Sequence, residues 1–244
     1  MSDASDATVT VDNSRPTNQN VVLSQSVTVK GGVDVEIVTS FSGSTIWLAT
    51  YSATVFVEDF LHMTKATPPA TSIKSPTNEG DYKLFVINAV GNYSEPSIAT
   101  VTVDNTPPTS QNAVLSSSMI VTGGFDVTIL PTGNSTDTIW LAPSGTTEFT
   151  AGTNMTKVAG DADKILSPGD EGDYKLFVID AAGNVSQASN ASVRVDNTSP
   201  TADVTCVPIG PYKGKRTILI TIKYNDHMKD APVPRIAISK PVDL

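Results

Sequence analysis

Oxygen-bearing side chains return at three equivalent places in this chain. The tripeptide Val-Asp-Asn occupies residues 11–13, 103–105 and 195–197, so it recurs every 92 residues. Carboxylate, amide and carbonyl oxygens are the ligands that Ca²⁺ takes in proteins. The candidate calcium ligands in these tripeptides are Asp104, Asn105, Asp196 and Asn197. The others are Asp180, in the adjacent hairpin, and Asp126, in the following domain, which aligns with Asp34 of the first repeat.

Each tripeptide supplies one carboxylate, which is too few for a calcium site by itself. Asp104 and Asn105 stand just before two prolines. An Asp side chain in this position can accept a hydrogen bond from the backbone two residues on, forming an Asx turn that needs no metal. The Asx turn is the favoured interpretation and calcium is the alternative. No other cofactor is expected.

Residues that commonly carry catalysis are sparse and do not repeat. His62 and His227 are the only histidines, and Asn154 stands where His62 would recur. If an active site had been duplicated with the repeat, its catalytic base should occur at the equivalent position of both copies. The sequence also lacks the Gly-x-Ser-x-Gly, Walker, HExxH and Cys-x-x-Cys motifs. It predicts a protein that is not an enzyme.

Lysine and aromatic side chains suggest two weaker kinds of chemistry. An intramolecular Lys–Asn bond forms in an apolar core, whereas Lys175 alternates with inward-facing neighbours and is expected outside it. Carbohydrate binding needs exposed aromatic rings, but aromatic residues are only 6% of the chain. Trp47 and Trp140 are predicted to be core residues, and the candidate surface aromatics are Tyr51, Tyr93 and Phe149.

The elements that must position these residues are short strands. Runs rich in Val, Ile and Thr alternate with Gly, Pro, Asn and Ser, and no window has sustained helical periodicity. Seven strands in a 92-residue repeat predict an all-β immunoglobulin-like sandwich. In the second repeat they are Ala113–Ser117, Phe125–Ile129, Thr138–Ala142, Glu148–Thr150, Lys157–Val158, Asp173–Asp180 and Ala191–Val195.

One of these strands carries a specific signature of that fold. Asp170, Gly172, Tyr174 and Leu176 have the D-x-G-x-Y-x-C spacing of the tyrosine corner, with Leu176 in the place of the Cys. The spacing predicts that the Tyr174 hydroxyl bonds to the backbone a few residues upstream.

Strand alternation then assigns side chains to faces. Tyr174 and every second residue after it to Val178 should face the core together with Trp140, while Phe177 and Ile179 should point outward. Two large apolar side chains on the outer face need a cover or a partner.

The repeats also set the domain organisation. GDYKLFVINAVGN at residues 80–92 and GDYKLFVIDAAGN at residues 172–184 differ at two positions, and prolines follow each tripeptide and restrict the backbone. We expect an extended, rod-like array of tandem domains. Its parts are a last-strand remnant at 1–13, immunoglobulin-like repeats at 14–105 and 106–197, and an incomplete, divergent module at 198–244, in a piece of a longer protein.

Charge and composition limit the classes of partner that the chain is expected to bind. A formal net charge of −9 without a dense basic patch argues against nucleic acid, and no window approaches a membrane-spanning length. The single cysteine, Cys206, excludes an intrachain disulfide.

In the divergent module, residues 201–205, 215–223 and 234–239 are predicted strands. If the rest of that module is missing, its apolar strands would pair with another chain or stay partly unfolded.

The junction, the GDYKLFVIDAAGN hairpin and the IWLAPSGTTEF strand resemble the immunoglobulin-like tandem repeats of large bacterial surface proteins and adhesins. The likeness covers residues 8–197. It implies a cell-surface or extracellular location and a stalk or adhesion role, with the neighbouring domains of the same chain as its partners.

Three functions remain open from the sequence. The first is a structural stalk that holds a functional tip away from the cell. The second is a module that binds a surface glycan or protein, for which the divergent stretch 50–72 is the best candidate. The third is a filament subunit that assembles by strand exchange through residues 8–13.

Overall fold

The computed structural model describes residues 8–38, 43–207 and 219–225. The chain divides into two compact units, Met1–Asp196 and Asn197–Leu244. The first unit contains both long repeats, and each repeat has a buried core of its own. The chain is all-β, as predicted, and its repeats are tandem immunoglobulin-like sandwiches.

In the first repeat a five-stranded sheet and a two-stranded sheet enclose the core. A four-residue helix, α1 (Gln19–Val22), precedes β1 (Val27–Val29), β2 (Asp34–Glu36), β3 (Thr45–Ala49), β4 (Thr64–Ala66), β5 (Ser72–Lys74), β6 (Gly80–Ile87) and β7 (Val101–Val103). The larger sheet has the order β1-β7-β6-β3-β4, and β2 pairs with β5. The β1–β7 pair is parallel and the other pairs are antiparallel.

The second repeat has the same topology. Its elements are α2 (Gln111–Val114), β8 (Met119–Val121), β9 (Asp126–Thr128), β10 (Thr138–Pro143), β11 (Thr156–Ala159), β12 (Lys164–Leu166), β13 (Gly172–Ile179) and β14 (Ser192–Val195). The larger sheet has the order β11-β10-β13-β14-β8, and β12 pairs with β9. The order of strands in both repeats is therefore that of one duplicated domain.

The tyrosine corner is present in both repeats. The Tyr174 hydroxyl donates a hydrogen bond to the Asp170 carbonyl at 2.8 Å, and the Tyr82 hydroxyl donates one to the Asn78 carbonyl at 3.0 Å. Both rings are buried, and this burial raises the pKa of each phenol. The tyrosine corner that the spacing of residues predicts is therefore confirmed.

The tryptophans lie on the other face of the sheet from the one predicted. In the register of β10 with β13, Trp140 is opposite Phe177, whereas Ile139 is opposite Val178. Opposite residues share a face, so Trp140 and Phe177 point outward together while Ile139 and Val178 enter the core with Tyr174. The assignment of Trp140 to the core face is wrong, because Ile-Trp-Leu is apolar throughout and alternation alone could not choose its inner side.

The outward side chains are covered by the chain itself. Phe149 packs against Trp140 with ring centroids 5.5 Å apart and against Phe177 with centroids 5.2 Å apart. We call this set the outer cluster; it also includes Ala142, Met155, Ile179, Val185 and Ala188. The first repeat has an equivalent built on Trp47, Phe56 and Phe85. The predicted need for cover is confirmed, and Phe149 and Tyr93 are half-buried there rather than surface aromatics.

Two predicted strands of the second repeat are wrong. Residues 113–117 instead contain the end of α2, and the Leu115 N–H donates to the Gln111 carbonyl at 3.1 Å. The run Ala-Val-Leu fits a short helix or a strand equally well, and burial of Val114 and Leu115 under the sheets selects the helical turn. Residues 148–150 form no strand because Phe149 is the cover of the outer cluster.

Residues 8–13 are not in a strand. Val9 and Val11 correspond to Val101 and Val103 of the first repeat, yet they are 90% and 75% exposed where their counterparts are 0% and 2% exposed. The same pattern of residues thus forms a strand only where a sheet receives it.

The second unit contains one antiparallel pair of strands among its described residues, β15 (Ala202–Val207) with β16 (Leu219–Tyr224). These two strands overlap the predicted runs 201–205 and 215–223. Residues 215–218 and the third predicted run, 234–239, lie outside the described residues. Within the part of the chain that the structure describes, no helix has the length and apolar character needed to cross a bilayer.

Candidate functional site

The junction between the repeats, residues 104–106, begins with a turn in which the Asp104 side chain accepts a hydrogen bond from the backbone. The Thr106 N–H donates to Asp104 Oδ1 at 2.9 Å, and the Ser14 N–H donates to Asp12 Oδ1 at 2.8 Å. The bond from Ser14 holds the pKa of Asp12 below its usual value. The Asx turn predicted for this position is confirmed at both junctions.

The Asn105 side chain fixes the same segment to the end of the first repeat. Its Oδ1 accepts from the Gly31 N–H at 2.9 Å, and its Nδ2 donates to the Thr77 carbonyl at 2.9 Å. One amide therefore joins the end of the last strand to two other turns of the domain. This uses both ends of the side chain, which explains why an amide follows the Asp.

Glu79 completes this set of bonds. Its Oε1 accepts from the Thr106 hydroxyl at 2.7 Å and from the Asn105 N–H at 3.0 Å. These two bonds, that from Thr106 first, lower the pKa of Glu79. The carboxylate stays charged at neutral pH and holds the first residue beyond the repeat.

Glycine is required where the two turns meet. A Cβ on Gly31 would lie 2.5 Å from the Thr77 carbonyl oxygen, and one on Gly123 would lie 2.7 Å from the Gly169 carbonyl oxygen. Backbone cannot approach a side chain that closely. Gly31 thus allows the turn at Thr77 to come close enough for Asn105 to bond to both.

The second repeat contacts the junction through the hairpin that follows β13. Asn184 Nδ2 donates to the Asp104 carbonyl at 2.9 Å and to Asp180 Oδ2 at 3.0 Å, and the Asn184 N–H donates to Asp180 Oδ1 at 2.8 Å. Asn184 is only 1% exposed. Asp180 therefore orients the amide, and the amide holds the backbone of the preceding repeat.

An equivalent arrangement holds the preceding segment against the first repeat. Asn92 Nδ2 donates to the Asp12 carbonyl at 2.8 Å, and its N–H donates to Asn88 Oδ1 at 2.9 Å. Asn88 Nδ2 adds a bond to the Ser14 carbonyl at 3.2 Å. Two junctions 92 residues apart thus use the same amide-to-carbonyl contact.

The role of this hairpin amide was missed from the sequence. Gly183 has a positive φ of 86°, which suits the turn, whereas Asn184 does not need a positive φ and uses its side chain instead. The signal available was the identical Gly-Asn pair at 91–92 and 183–184, which a turn requirement for Gly alone does not explain.

The six candidate calcium ligands lie at two opposite ends of the second repeat. β13 has eight residues and rises about 3.3 Å per residue, so its ends are ~23 Å apart. Asp180 follows one end, beside Asp104, whereas Asp196 follows Val195, which pairs with Gly172 at the other end. Asn197 follows Asp196 in the chain, and Asp126 follows the turn beside Val121, which accepts from the Asp196 N–H.

The six candidate ligands also differ in the residues that they contact. Asp126 faces Lys164 at 3.6 Å, and the Asn105 amide is used within the first repeat. Asp104 and Asp180 share a neighbour, Asn184. Among the described residues, no group of three or more His, Cys, Asp and Glu side chains is placed to hold a metal ion.

Of the other residues considered for chemistry, His62 and Lys175 have structural contacts, and His227 lies outside the described residues. His62 Nδ1 lies 3.2 Å from Asp59 Oδ2 and its Nε2 lies 2.9 Å from Asn78 Nδ2. Backbone N–H groups of His62 and Met63 lower the pKa of Asp59 to about 2. Lys175 Nζ donates to the Asn190 carbonyl at 2.7 Å. It lies outside the apolar core, as predicted.

Comparison with known proteins gives a likeness of fold only. No protein-family model and no curated protein matches the chain. Among solved structures, the fibronectin(III)-like modules of Clostridium thermocellum CbhA are 14% identical, with 70% of this chain and 90% of that chain covered and a TM-score of 0.33.

Two other structures illustrate the range. SGBP-B of a Bacteroides ovatus mixed-linkage glucan utilization locus, in complex with a heptasaccharide, is 19% identical, with 80% and 48% covered and a TM-score of 0.20. The N-terminal eight Ig domains of Down Syndrome Cell Adhesion Molecule are 14% identical, with 83% and 29% covered and a TM-score of 0.22. This chain thus spans about half of one and under a third of the other.

Proposed function

We propose that this chain is a non-catalytic spacer segment of a large bacterial cell-surface adhesin, which projects a functional tip from the cell. The observation that carries the proposal is the bond from Asn184 to the Asp104 carbonyl, made again by Asn92 at Asp12. A spacer must keep successive domains at a fixed angle, and these bonds restrict the junctions at Asp12 and Asp104.

The junction resists bending on both of its sides. Asn105 and Glu79 hold the segment to the domain it leaves, and Asn184 holds it to the domain it enters. Pro107 and Pro108 follow these attachments and limit the backbone that leads into the second repeat. These contacts are hydrogen bonds to the backbone or to a neighbouring junction residue. A further near-identical repeat can therefore be added to the chain without a change in the repeat that it contacts.

Calcium binding is a separate proposal and rests on Asp104 and Asp180. The Asp180 carboxylate and the Asp104 carbonyl both face Asn184, so three oxygen-bearing residues lie together there. Unfolding temperatures of the chain measured with added CaCl₂ and with EDTA test this proposal. A rise with CaCl₂ that Asp180→Ala removes supports it, and equal unfolding temperatures exclude it.

The spacer role is tested in the cells that produce the protein. Antibodies against this chain should stain intact cells, and deletion of residues 106–197 should shorten the projection without reducing surface display or the binding of the tip. Cells that stain only after permeabilisation, or a deletion that abolishes ligand binding by purified protein, would exclude the spacer role.

A further inference from the structure

The first repeat has a small cleft whose lining side chains differ from those at the equivalent positions of the second repeat. Arg15, Tyr51, Tyr93 and Glu95 line it, above a floor that includes Phe85 and Pro96, and its volume is about 210 Å³. That is below the roughly 300–1,000 Å³ of pockets for drug-sized ligands. The cleft therefore has room for one ring-sized group.

Tyr51 forms an exposed aromatic wall of this cleft. It lies in a turn closed by a hydrogen bond from the Ala53 N–H to the Thr50 carbonyl at 3.0 Å, and it is 72% exposed. The other aromatic residues of this region, Phe56 and Phe85, pack in the first repeat's outer cluster. Tyr51 has no such packing role, so a ring face is available to a ligand.

The polar wall is a salt bridge whose net charge is zero. Arg15 Nη1 bonds to Glu95 Oε1, and the guanidinium lies over the Tyr93 ring, 5.3 Å from its centroid. The two side chains are 55% and 71% exposed. A fork of N–H donors and a carboxylate acceptor thus stand side by side at the cleft, each held in place by the other.

The copy of this site in the second repeat shows that the fold does not require these side chains. The equivalent positions hold Pro107, Ser144, Val185 and Gln187, while Ser94 and its counterpart Ser186 make the same buried hydrogen bonds. The framework is retained, and all four cleft residues differ. Tyr93 packs against Phe56 with ring centroids 5.5 Å apart, but packing gives no reason for Tyr51 and the ion pair in the first repeat.

We propose that this cleft binds a single neutral pyranose, such as the terminal residue of a glycan. A tyrosine ring packs on the C–H face of a sugar, and adjacent donors and acceptors match neighbouring hydroxyls. A net-neutral wall gives no preference to an anion or a cation. An extended peptide would need a longer groove or a free strand edge, which this cleft does not provide.

Saturation-transfer NMR on the full chain tests the proposal, with methyl glycosides of glucose, galactose, mannose and N-acetylglucosamine as probes. At least one should receive saturation, and Tyr51→Ala should weaken its binding about fivefold or more. Glu95→Gln should weaken it as well. The matched control is Phe60→Ala, since Phe60 is also an exposed aromatic residue, at 59%, outside the cleft.

Three results would overturn the proposal. They are the absence of saturation transfer to any of the glycosides, binding that Tyr51→Ala and Glu95→Gln leave unchanged, and stronger binding of charged probes, N-acetylneuraminic acid or choline, than of any neutral glycoside. Equal unfolding temperatures for the variants and the unmodified chain establish that the folds are the same.

Discussion

Asn184 donates a hydrogen bond to the backbone carbonyl of Asp104 across 80 residues of sequence and across the boundary between two repeats. The donor–acceptor distance is 2.9 Å, the ordinary length of an N–H···O bond, and the donor residue is buried. It is the contact by which one sandwich fixes the last strand of the other.

Replacement of Asn184 by Ala should destabilise the chain. The change leaves the Asp104 carbonyl and one oxygen of Asp180, both in half-buried residues, without this donor, at a cost of about 0.5–1.5 kcal/mol per hydrogen bond. Denaturant unfolding followed by circular dichroism measures the effect. Asn154→Ala, at an exposed position, is the control and should change stability by less than about 0.5 kcal/mol. Equal losses in the two variants would contradict the role of Asn184.

Replacement of Gly123 by Ala should destabilise the second repeat because the new Cβ would lie 2.7 Å from the Gly169 carbonyl oxygen. We expect a loss of about 1–3 kcal/mol as the two turns separate. Gly145→Ala is the matched control, since a Cβ there meets no atom within 4 Å. Calorimetry should show a lower unfolding temperature for Gly123→Ala only, and an unchanged one would show that the close approach is relieved at no cost.

Replacement of Trp140 by Ala should cost as much as a core substitution, although Trp140 is on the outer face. The ring is 6% exposed and contacts Phe149 and Phe177, and removal of a buried Trp costs about 3–5 kcal/mol. Phe60→Ala serves as the exposed aromatic control. A loss below about 1 kcal/mol in urea unfolding would mean that the outer cluster does not stabilise the domain.

The tyrosine corners should make stability fall at alkaline pH. Burial raises the pKa of Tyr82 and Tyr174 in the folded chain, so the neutral phenols stabilise it fully below the unfolded pKa of about 10. This stability is lost as the pH rises through the folded values.

The double variant Tyr82→Phe and Tyr174→Phe tests this dependence. Near pH 8 the double variant should be less stable than the unmodified chain, because it lacks two hydrogen bonds. Above pH 10 its stability should fall by less than that of the unmodified chain. Unfolding temperatures across that range provide the measurement. Parallel curves for the two proteins would show that these phenols do not govern the alkaline loss.

Local patterns in the sequence predicted the parts of the fold that depend on a few neighbouring residues. The Asp-x-Gly-x-Tyr spacing gave the corner at Tyr174, and the Asp-Asn-x-Pro order gave the Asx turn at Asp104. Alternation along β13 placed Tyr174 and Val178 correctly because polar Lys175 marks the opposite face. The same rule misplaced Trp140, since its neighbours Ile139 and Leu141 are apolar too and the register with β13 decides.

The candidate site could be predicted only in part because its bonds join distant residues. Asn105 bonds to Gly31 and Thr77, which lie 74 and 28 residues away. Asp126 resembled a junction ligand by its repetition with Asp34, yet each of these carboxylates pairs with a lysine on the adjoining strand, Lys164 and Lys74. A residue that recurs in both repeats can be recognised from the sequence. The residue that it contacts is known only from the fold.

The central claim is that the junction makes the two repeats move as one body, and residual dipolar couplings of backbone amides test it most directly. One alignment tensor should fit the couplings of residues 14–105 and 106–197 in the unmodified chain, and Asn184→Ala should require two tensors of different magnitude. Separate tensors for the two repeats of the unmodified chain, or a single tensor retained in the variant, would contradict the account.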